Sequence, residues 1–362
     1  MRHAGYMKLR LLTSLTAALL LVAACGGSSD DKTETKPEVT AATTTPAPPV
    51  IVTSPLTGLE MPDGRPTHPV YVAKVDNTGP AAPQIGLEKA DVVVQELVEG
   101  GVTRLAALFY SNTPTKVGHI RSMRATDIGI AKPVKAQIIA SGGARPTIRR
   151  VARANVKVHL EDAQSPGFSG DVGSRPYNRL INVQKLAGLS KPVVIKRNYF
   201  TFGKGIEGVV AKTPPTAAME TPGTPATAVA PAKLSKTVST AKTRFSGGSV
   251  TTWGLKDGRW KRTSGPRQSG TGFLADTMIV IQAKVQAAGY NDVAGNPVPE
   301  TILQGTGKAV IFQGSEALKV IWTKDKINST LSFKTADGQA IGIKPGKTWI
   351  ELIPDRGGKL TY

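Results

Sequence analysis

The chain has 362 residues, enough for two hydrophobic cores, and its single cysteine excludes an internal disulfide. It carries 46 lysines and arginines against 26 acidic residues, so its formal net charge is +20 with histidine counted as neutral. A charge of this sign attracts anionic lipid headgroups or anionic wall polymers, although a solvated basic surface with no specific ligand is an equally simple explanation.

The first 24 residues have the pattern of a secretory signal peptide. Basic residues precede an uncharged apolar run of 14 residues, 11–24, which is too short for a transmembrane helix of about 20 residues. Val22-Ala23-Ala24-Cys25 resembles the lipobox of bacterial lipoproteins. The pattern predicts cleavage before Cys25, attachment of lipid (palmitate) to its thiol, and a location at the extracytoplasmic face of the cell membrane. Cleavage lowers the net charge to +17.

Residues 25–53 are rich in Ser, Thr, Pro and charge and have little to bury, so they are predicted to form a disordered tether. A flexible coil of about 25 residues spans roughly 25–30 Å, which holds the body clear of the lipid headgroups. Residues 206–234 are predicted to be a Pro/Thr/Ala-rich linker or a surface insertion. These stretches bound an N-terminal domain, 54–205, and a C-terminal domain, 235–362.

The N-terminal domain interleaves short β-branched runs with helical patterns, which is typical of α/β or α+β folds. The predicted strands are 70–75, 91–98, 102–110, 136–140, 156–160 and 193–195. Residues 146–154 and 180–189 are predicted to be helices. We therefore expect a layered, mixed α/β N-terminal domain.

The C-terminal domain is smaller and rich in predicted strands, so the whole chain is assigned to the α+β class. Asp257-Gly258 predicts a hairpin turn within residues 253–262. The other predicted strands are 309–312, 319–322, 331–333 and 349–353. Residues 275–288 suit a helix, although 278–281 suit a strand equally well.

Two parts of the chain resemble the YerB-like lipoproteins, a bacterial family without an established function. The first part contains residues 98–104 (VEGGVTR) and 117–124 (VGHIRSMR), and the second contains 292–300 (DVAGNPVPE) and 345–351 (PGKTWIE). The family more often has alanine at the position of Met123 and an aromatic residue at that of Leu105, which leaves the charge unchanged. The resemblance implies a lipid-anchored envelope protein with a layered α+β N-terminal domain, and it implies no reaction.

The predicted hairpin at Gly100-Gly101 places a carboxylate on an apolar face. With Gly100-Gly101 as a two-residue turn, or as the centre of a four-residue turn, Glu96 lies opposite Leu105, among the apolar side chains of the hairpin. A buried carboxylate needs a partner or a raised pKa, and Arg121 and Arg124 are the predicted partners. A three-residue loop would exchange the two faces and remove this argument.

Glu99 and Arg104 are predicted to form a salt bridge on the other face of the hairpin. Together with their neighbours they suggest a binding site for an anionic or hydroxyl-rich ligand, or a buried ion-pair network with a purely structural role. The binding candidates are Asp76, Asn77, Glu96, Glu99, Arg104, Arg121, Arg124 and Asp127. Glu96, Glu99 and Asp76 are the candidates for acid and base if the site hydrolyses a glycan.

The hairpin at Asp257-Gly258 allows two interpretations. Trp253, Leu255 and Trp260 share one face, where indoles either stack on sugars or belong to the core. The core is the simpler interpretation.

Several chemistries are not supported by the sequence. The histidines outside the signal are isolated, so no zinc spacing and no cofactor site is expected, and Cys25 is assigned to the lipid. Residues 305–308 (GTGK) lack the spacing of a phosphate loop and are predicted to be a turn.

The sequence thus predicts a non-enzymatic, membrane-anchored binding or scaffolding module. Its expected partner is an anionic wall polymer, a glycan or an envelope protein, and no nucleic acid is expected. The alternative is a carboxylate-dependent hydrolase of wall glycan.

Overall fold

The computed structural model describes residues 51–212, 233–292 and 294–362. The predicted signal peptide, Cys25 and most of the predicted tether and linker lie outside these ranges. Within them, no helix combines the length and the apolar character needed to cross a membrane.

The first part of the body alternates strands with three short helices. Its elements are β1 (Tyr71–Asp76), β2 (Val92–Leu97), β3 (Thr103–Phe109), β4 (Val117–Gly118), α1 (Asp127–Ala131), β5 (Gln137–Ala140), α2 (Arg145–Arg153), β6 (Val158–Leu160), β7 (Phe168–Gly170), β8 (Arg179–Ile181) and α3 (Val183–Leu189). The predicted helix at 180–189 begins as a strand, because Leu180 and Ile181 pair with β4 before the Asn182 side chain caps α3. Residues 193–195 do not form a regular strand.

The regular elements among the described residues from 233 onward are all strands. They are β9 (Lys236–Thr237), β10 (Thr240–Arg244), β11 (Val250–Lys256), β12 (Arg259–Arg262), β13 (Leu274–Ala275), β14 (Thr277–Ala283), β15 (Val285–Asn291), β16 (Pro297–Thr301), β17 (Gly305–Gln313), β18 (Glu316–Lys324), β19 (Ser332–Lys334), β20 (Ala340–Ile341), β21 (Thr348–Pro354) and β22 (Lys359–Thr361). Residues 275–288 are therefore strands rather than a helix. The turn predicted at 305–308 is wrong, because these residues begin β17 and pair with β18.

One large sheet contains strands from both halves of the chain. Its order is β20-β19-β18-β17-β14-β21-β2-β3-β1-β5-β6, with β9 also paired to β18. The joint is β21, which runs parallel to β14 on one side and to β2 on the other. The sheet is thus continuous across the predicted sequence domains 54–205 and 235–362, whose boundaries stay a prediction.

Along the central strands, successive apolar side chains point to opposite faces of this sheet and so contribute to a hydrophobic core on each face. On one face, Val92, Val94 and Ile350 pack with helices α1 and α2. On the other, Val93 and Trp349 pack with a five-stranded antiparallel sheet of order β13-β12-β11-β10-β22. The structure is mainly β with several sheets, and the layered α+β arrangement of the N-terminal half stays a prediction.

A buried carboxylate connects the two sheets. Glu351 of β21 has no exposed surface and accepts hydrogen bonds from Trp349 Nε1 (2.8 Å), Thr243 Oγ1 (2.9 Å) and Trp253 Nε1 (3.2 Å). Burial raises the pKa of the Glu351 carboxyl to about 7, and these donors reduce the shift only in part. The carboxyl therefore fixes both indoles from within the core.

Candidate functional site

The predicted site residues gather at one edge of the large sheet. Strands β1, β5 and β6 are parallel, and β2 runs in the same direction because both β1 and β2 are antiparallel to β3. Their carboxyl ends meet at this edge, and ligands commonly bind at such edges in sheets with parallel strands. We call it the carboxyl edge.

An inner cluster of three charged residues lies beneath this edge. Lys74, Glu96 and Asp127 have no exposed side-chain surface. The Lys74 ammonium donates a hydrogen bond to Glu96 Oε1, and its Nζ lies 2.7 Å from Asp127 Oδ1. The prediction that Arg121 and Arg124 pair with Glu96 is therefore wrong.

The error has its origin in the hairpin loop. Val98 N–H donates to Val102 O (2.9 Å), so the loop has three residues rather than two, and Glu96 lies opposite Arg104 instead of Leu105. Gly100 (φ 70°) and Gly101 (φ 71°) both adopt left-handed backbone angles, which permit this longer loop. Glu96 stays on the face of Val92 and Val94, but its cross-strand neighbours change.

The inner cluster holds one cation and two carboxyl groups. Burial raises the pKa of Glu96, and the nearby Asp127 charge raises it further. Burial opposes the charge of the Lys74 ammonium, but the two carboxyl groups outweigh it and raise the pKa of Lys74. Lys74 is thus the single counter-charge to two carboxyl groups in a site without water, where an unpaired charge would be costly.

A second set of charges, the arginine cluster, lies above the first, near the surface. It consists of Arg104, Arg121 and Arg124 with Glu99 and Asp76. Glu99 accepts hydrogen bonds from Arg124 Nε (2.8 Å) and Arg104 Nη2 (3.3 Å), which confirms the predicted Glu99–Arg104 salt bridge. The Arg121 guanidinium lies 3.3 Å from Asp76, measured from Nε to Oδ2.

The guanidinium groups outnumber the carboxylates in the arginine cluster. Partial burial opposes ionisation of Glu99, but the hydrogen bond from Arg124 and the charge of Arg104 outweigh it and lower its pKa. Burial, together with the neighbouring charge of Arg124, lowers the pKa of Arg104 to about 10. Among these five residues, three cations face two carboxylates, an imbalance that favours an anion. The Asp292 carboxylate, whose pKa is lowered by the backbone N–H of Asn296 and also by the Arg124 charge, is a further negative charge nearby.

Arg121 is the member of the cluster with the fewest fixed partners. Its guanidinium carbon lies 5.1 Å from the ring centroid of Tyr177, and its Nη1 is buried without a hydrogen-bond partner among the described residues, so only the exposed part of the guanidinium can meet a ligand. Its side chain keeps 18% of its surface exposed. A guanidinium held by one carboxylate and one aromatic ring retains donors for a ligand.

The loop that carries Arg121 runs beside the connection between β5 and α2. Ser141 N–H donates to Arg121 O (3.1 Å), and Met123 N–H donates to Gly142 O (3.0 Å). Gly142 leaves room for the Asp162 carboxylate, since a Cβ there would lie 2.2 Å from Asp162 Oδ2. Asp162 is exposed and adds an acceptor to this edge.

Asn77 is part of the framework rather than a free ligand group. Its side-chain amide donates to Thr103 Oγ1 (2.8 Å), and its oxygen accepts from Arg262 Nη1 (2.8 Å) and from Gln84 Nε2 (2.9 Å). Arg262 belongs to β12, so these bonds join the carboxyl edge to the five-stranded sheet.

The structure therefore brings together the eight predicted binding residues and separates them by depth. Sequence reasoning missed Lys74, Tyr177 and Asp162. Lys74 carried a signal, since it is the one charged residue within the apolar run at 70–75. Cys25, the predicted lipid attachment site, lies outside the described residues.

The second hairpin belongs to the core. Leu255 lies opposite Trp260, and Trp253 lies opposite Arg262, as predicted from the Asp257-Gly258 turn. Trp253 is 2% exposed and Trp260 is fully buried, so neither indole can stack on a sugar. In the part of the chain that the structure describes, no group of three or more His, Cys, Asp or Glu residues is arranged to hold a metal ion.

Comparison with known proteins assigns the family. Residues 56–192 match the N-terminal domain of the protein of unknown function DUF3048, and residues 241–350 match its C-terminal domain. The chain belongs to this family. It is 25% identical over 313 residues to the Bacillus subtilis protein named "Putative lipoprotein YerB", which covers 83% of this chain and 86% of the relative.

A solved structure has the same fold. The crystal structure of YerB protein from Bacillus subtilis superposes with a TM-score of 0.66 at 19% identity, over 86% of this chain and 100% of that one. At this level of identity the superposition supports the fold alone. The resemblance to YerB-like lipoproteins predicted from the sequence is thus confirmed.

Proposed function

We propose that the protein is a lipid-anchored binding module of the cell envelope that holds an anionic group of a wall polymer at the arginine cluster. The observation that carries this proposal is the excess of guanidinium groups over carboxylates within the cluster, together with the partial exposure of the Arg121 side chain. Phosphate and carboxylate groups match the planar donor fork of arginine.

The location is the coarser part of the proposal. The similarity to a protein named as a lipoprotein supports a membrane-anchored envelope location. Attachment of lipid to Cys25 is the finer part of the proposal, and a Cys25→Ser variant would test it directly. We expect a Cys25→Ser variant to leave the membrane fraction, and an unchanged membrane association of that variant would contradict the anchor.

The geometry does not favour the alternative, a hydrolase of wall glycan. Such an enzyme needs two carboxyl groups that open into one cleft, roughly 5–10 Å apart. Glu96 is sealed beneath the edge beside Lys74, and Glu99 is bound by two arginines that stabilise its ionised form. Neither is placed to donate a proton to a sugar. Digestion of wall glycan that is lost in both Glu96→Gln and Glu99→Gln variants would restore the alternative.

Binding to isolated cell walls tests the proposed site. The chain from residue 26 onward keeps every residue of the described body and lacks the predicted anchor. We expect Arg121→Gln to weaken its wall binding about tenfold, since a charge-assisted hydrogen bond contributes about 1.5–3 kcal/mol. Arg356→Gln is the matched control, because Arg356 is exposed in the turn after β21 and has no ion pair among the described residues.

Two results would overturn the site assignment. Equal losses in Arg121→Gln and Arg356→Gln would show that binding depends on net charge rather than on the cluster. Undiminished binding to walls stripped of their anionic polymers would assign the ligand to the glycan instead.

A further inference from the structure

A cationic cavity lies at the opposite edge of the same strands. It has a volume of about 530 Å³ and is bordered by the residues that begin β5 and by those that precede β6. Five cationic side chains line it: Lys132, Lys135, Lys157, Lys196 and Arg197. We call it the lysine cavity.

No acidic residue lines the lysine cavity. Two of its cations are fixed by backbone carbonyls, because Lys132 Nζ donates to Ala154 O (2.8 Å) and Arg197 Nη1 donates to Asn328 O (2.9 Å). Within the described ranges, Lys135, Lys157 and Lys196 are exposed and have no ion-pair partner. Concave sites lined by one sign of charge focus the field and raise the local concentration of counter-ions.

Lys135 adopts a backbone conformation that does not favour lysine. It follows the short helix 132–134 with φ 51° and ψ 36°, the left-handed region in which glycine is the usual residue. A side chain there costs about 1 kcal/mol relative to glycine. The backbone alone therefore does not account for lysine at this position, whereas a function of its ammonium group does.

The lysine cavity also lies beside the point where the body meets the predicted tether. The Arg65 guanidinium donates to Thr53 O (2.8 Å) from Nε and to Ile195 O (2.8 Å) from Nη1. Val193 N–H donates to Thr67 O (2.7 Å). One wall of the cavity, 193–197, is thus bound to the first described segment of the chain.

We propose that the lysine cavity binds the phosphate groups of anionic membrane lipids. The proposal rests on the lipid anchor of the proposed function, since a flexible tether of about 25 residues keeps the body within roughly 25–30 Å of the headgroups and leaves this edge free to turn toward them. The cavity then orients the protein, with the amino ends of β1, β5 and β6 toward the membrane and the arginine cluster on the far side. A juxtamembrane cation contributes about 1 kcal/mol to binding of an anionic surface.

Vesicle flotation tests the site with the chain from residue 26 onward. The vesicles contain phosphatidylcholine alone, whose phosphate is balanced by choline, or with phosphatidylglycerol, whose phosphate has no such counter-charge. We expect binding only to the second kind, and we expect Lys135→Gln, Lys157→Gln and Lys196→Gln combined to weaken it about 100-fold. The matched control replaces Lys242, Lys256 and Lys359 by glutamine, because these lysines are exposed, belong to the five-stranded sheet and do not line the cavity. It should weaken binding less than about threefold.

A single variant separates folding from binding. Lys135→Gly suits the left-handed backbone and is expected to unfold no more easily than the parent protein. It should nevertheless weaken vesicle binding about fivefold, the equivalent of one lysine at an anionic surface. Undiminished binding by Lys135→Gly would remove Lys135 from the site.

Other outcomes would overturn the assignment. Equal losses in the two triple variants would mean adhesion by net charge without a site. Displacement from vesicles by soluble poly(glycerol phosphate) at equal phosphate concentration would assign the cavity to a wall polymer rather than to lipid. Wall binding through Arg121 is measured separately, so failure of the lysine cavity leaves the proposed wall-binding site standing, and failure of wall binding leaves the lysine cavity standing.

Discussion

The inner cluster and the arginine cluster contain the same kinds of residue at different depths, and they differ in solvent exposure and in the balance of charge. The inner cluster is closed to solvent, and its single cation stands between two carboxyl groups. The arginine cluster has more cations than carboxylates and keeps part of Arg121 exposed. A dense charged motif can therefore contain both a buried structural ion-pair network and a candidate binding site, and their depth below the surface distinguishes them.

Removing the inner cation should produce the largest effect. Lys74→Met leaves two buried carboxyl groups without a counter-charge, so we expect the free energy of unfolding to fall by about 3–5 kcal/mol. Urea denaturation of the chain from residue 26 onward measures it. A variant that combines Lys74→Met with Glu96→Leu and Asp127→Asn should recover most of the loss, because no charge is then buried. A loss below 1 kcal/mol in Lys74→Met would show that the cluster is hydrated.

The buried carboxyl of Glu351, which lies between the two sheets, predicts a dependence of stability on pH. Its pKa of about 7 lies above the usual 4.5, so the folded state holds this proton more tightly than the unfolded state does. Its contribution to stability is complete below pH 4.5 and is lost as the pH rises through 7, by up to roughly 3 kcal/mol. Glu351→Gln keeps the acceptor for both indoles and should flatten the stability profile over this range. An unchanged slope in that variant would place the titration elsewhere.

Glu99 of the arginine cluster should show the opposite dependence and a smaller effect. Its lowered pKa means that its contribution is present above pH 4.5 and disappears as the pH falls below that value. We expect Glu99→Gln to reduce the free energy of unfolding by about 1 kcal/mol at neutral pH. Parent and variant should converge in acid. A difference that persists at pH 3 would contradict an ionic origin.

Arg121 should contribute least to stability. One ion pair with Asp76 and a contact with Tyr177 predict a change within about 0.5 kcal/mol for Arg121→Gln. Thermal unfolding of the parent protein and of Arg121→Gln, measured on the samples used for wall binding, checks this predicted change in stability. If Arg121→Gln destabilised the fold as strongly as Lys74→Met, the distinction between the two clusters would disappear.

Local signals in the sequence predicted much of the structure. Asp257-Gly258 identified the β11–β12 hairpin in its correct register, because Asp257 (φ 50°) and Gly258 (φ 74°) both adopt the left-handed angles that a tight turn requires. The same reasoning failed at Gly100-Gly101, where two glycines suit a loop of either length. A shift by one residue there changed every predicted cross-strand neighbour of Glu96.

The remaining differences between the predictions and the structure result from contacts between residues that are distant in the sequence. Gly305 and Gly307 suggested a turn, but they lie in β17, where a Cβ on Gly307 would be 2.6 Å from Trp322 Nε1. Close approach of an indole, rather than chain reversal, explains that glycine. The position of Lys74 beside Asp127 depends on how α1 meets β1, which no local pattern encodes. The predicted anchor at Cys25 stays a prediction.

The place of β21 in the sheet has a consequence for biosynthesis. This strand supplies the neighbour of β2, although about 250 residues separate the two along the chain. A polypeptide exported from its amino terminus presents β2 to the outside long before residues 348–354 emerge. During that interval β2 lacks its parallel neighbour β21, so one side of β2 remains without its hydrogen-bonded strand and the core around its apolar side chains is incomplete. For a chain exported as its predicted signal peptide implies, the large sheet can therefore be completed only after residues 348–354 have left the export machinery.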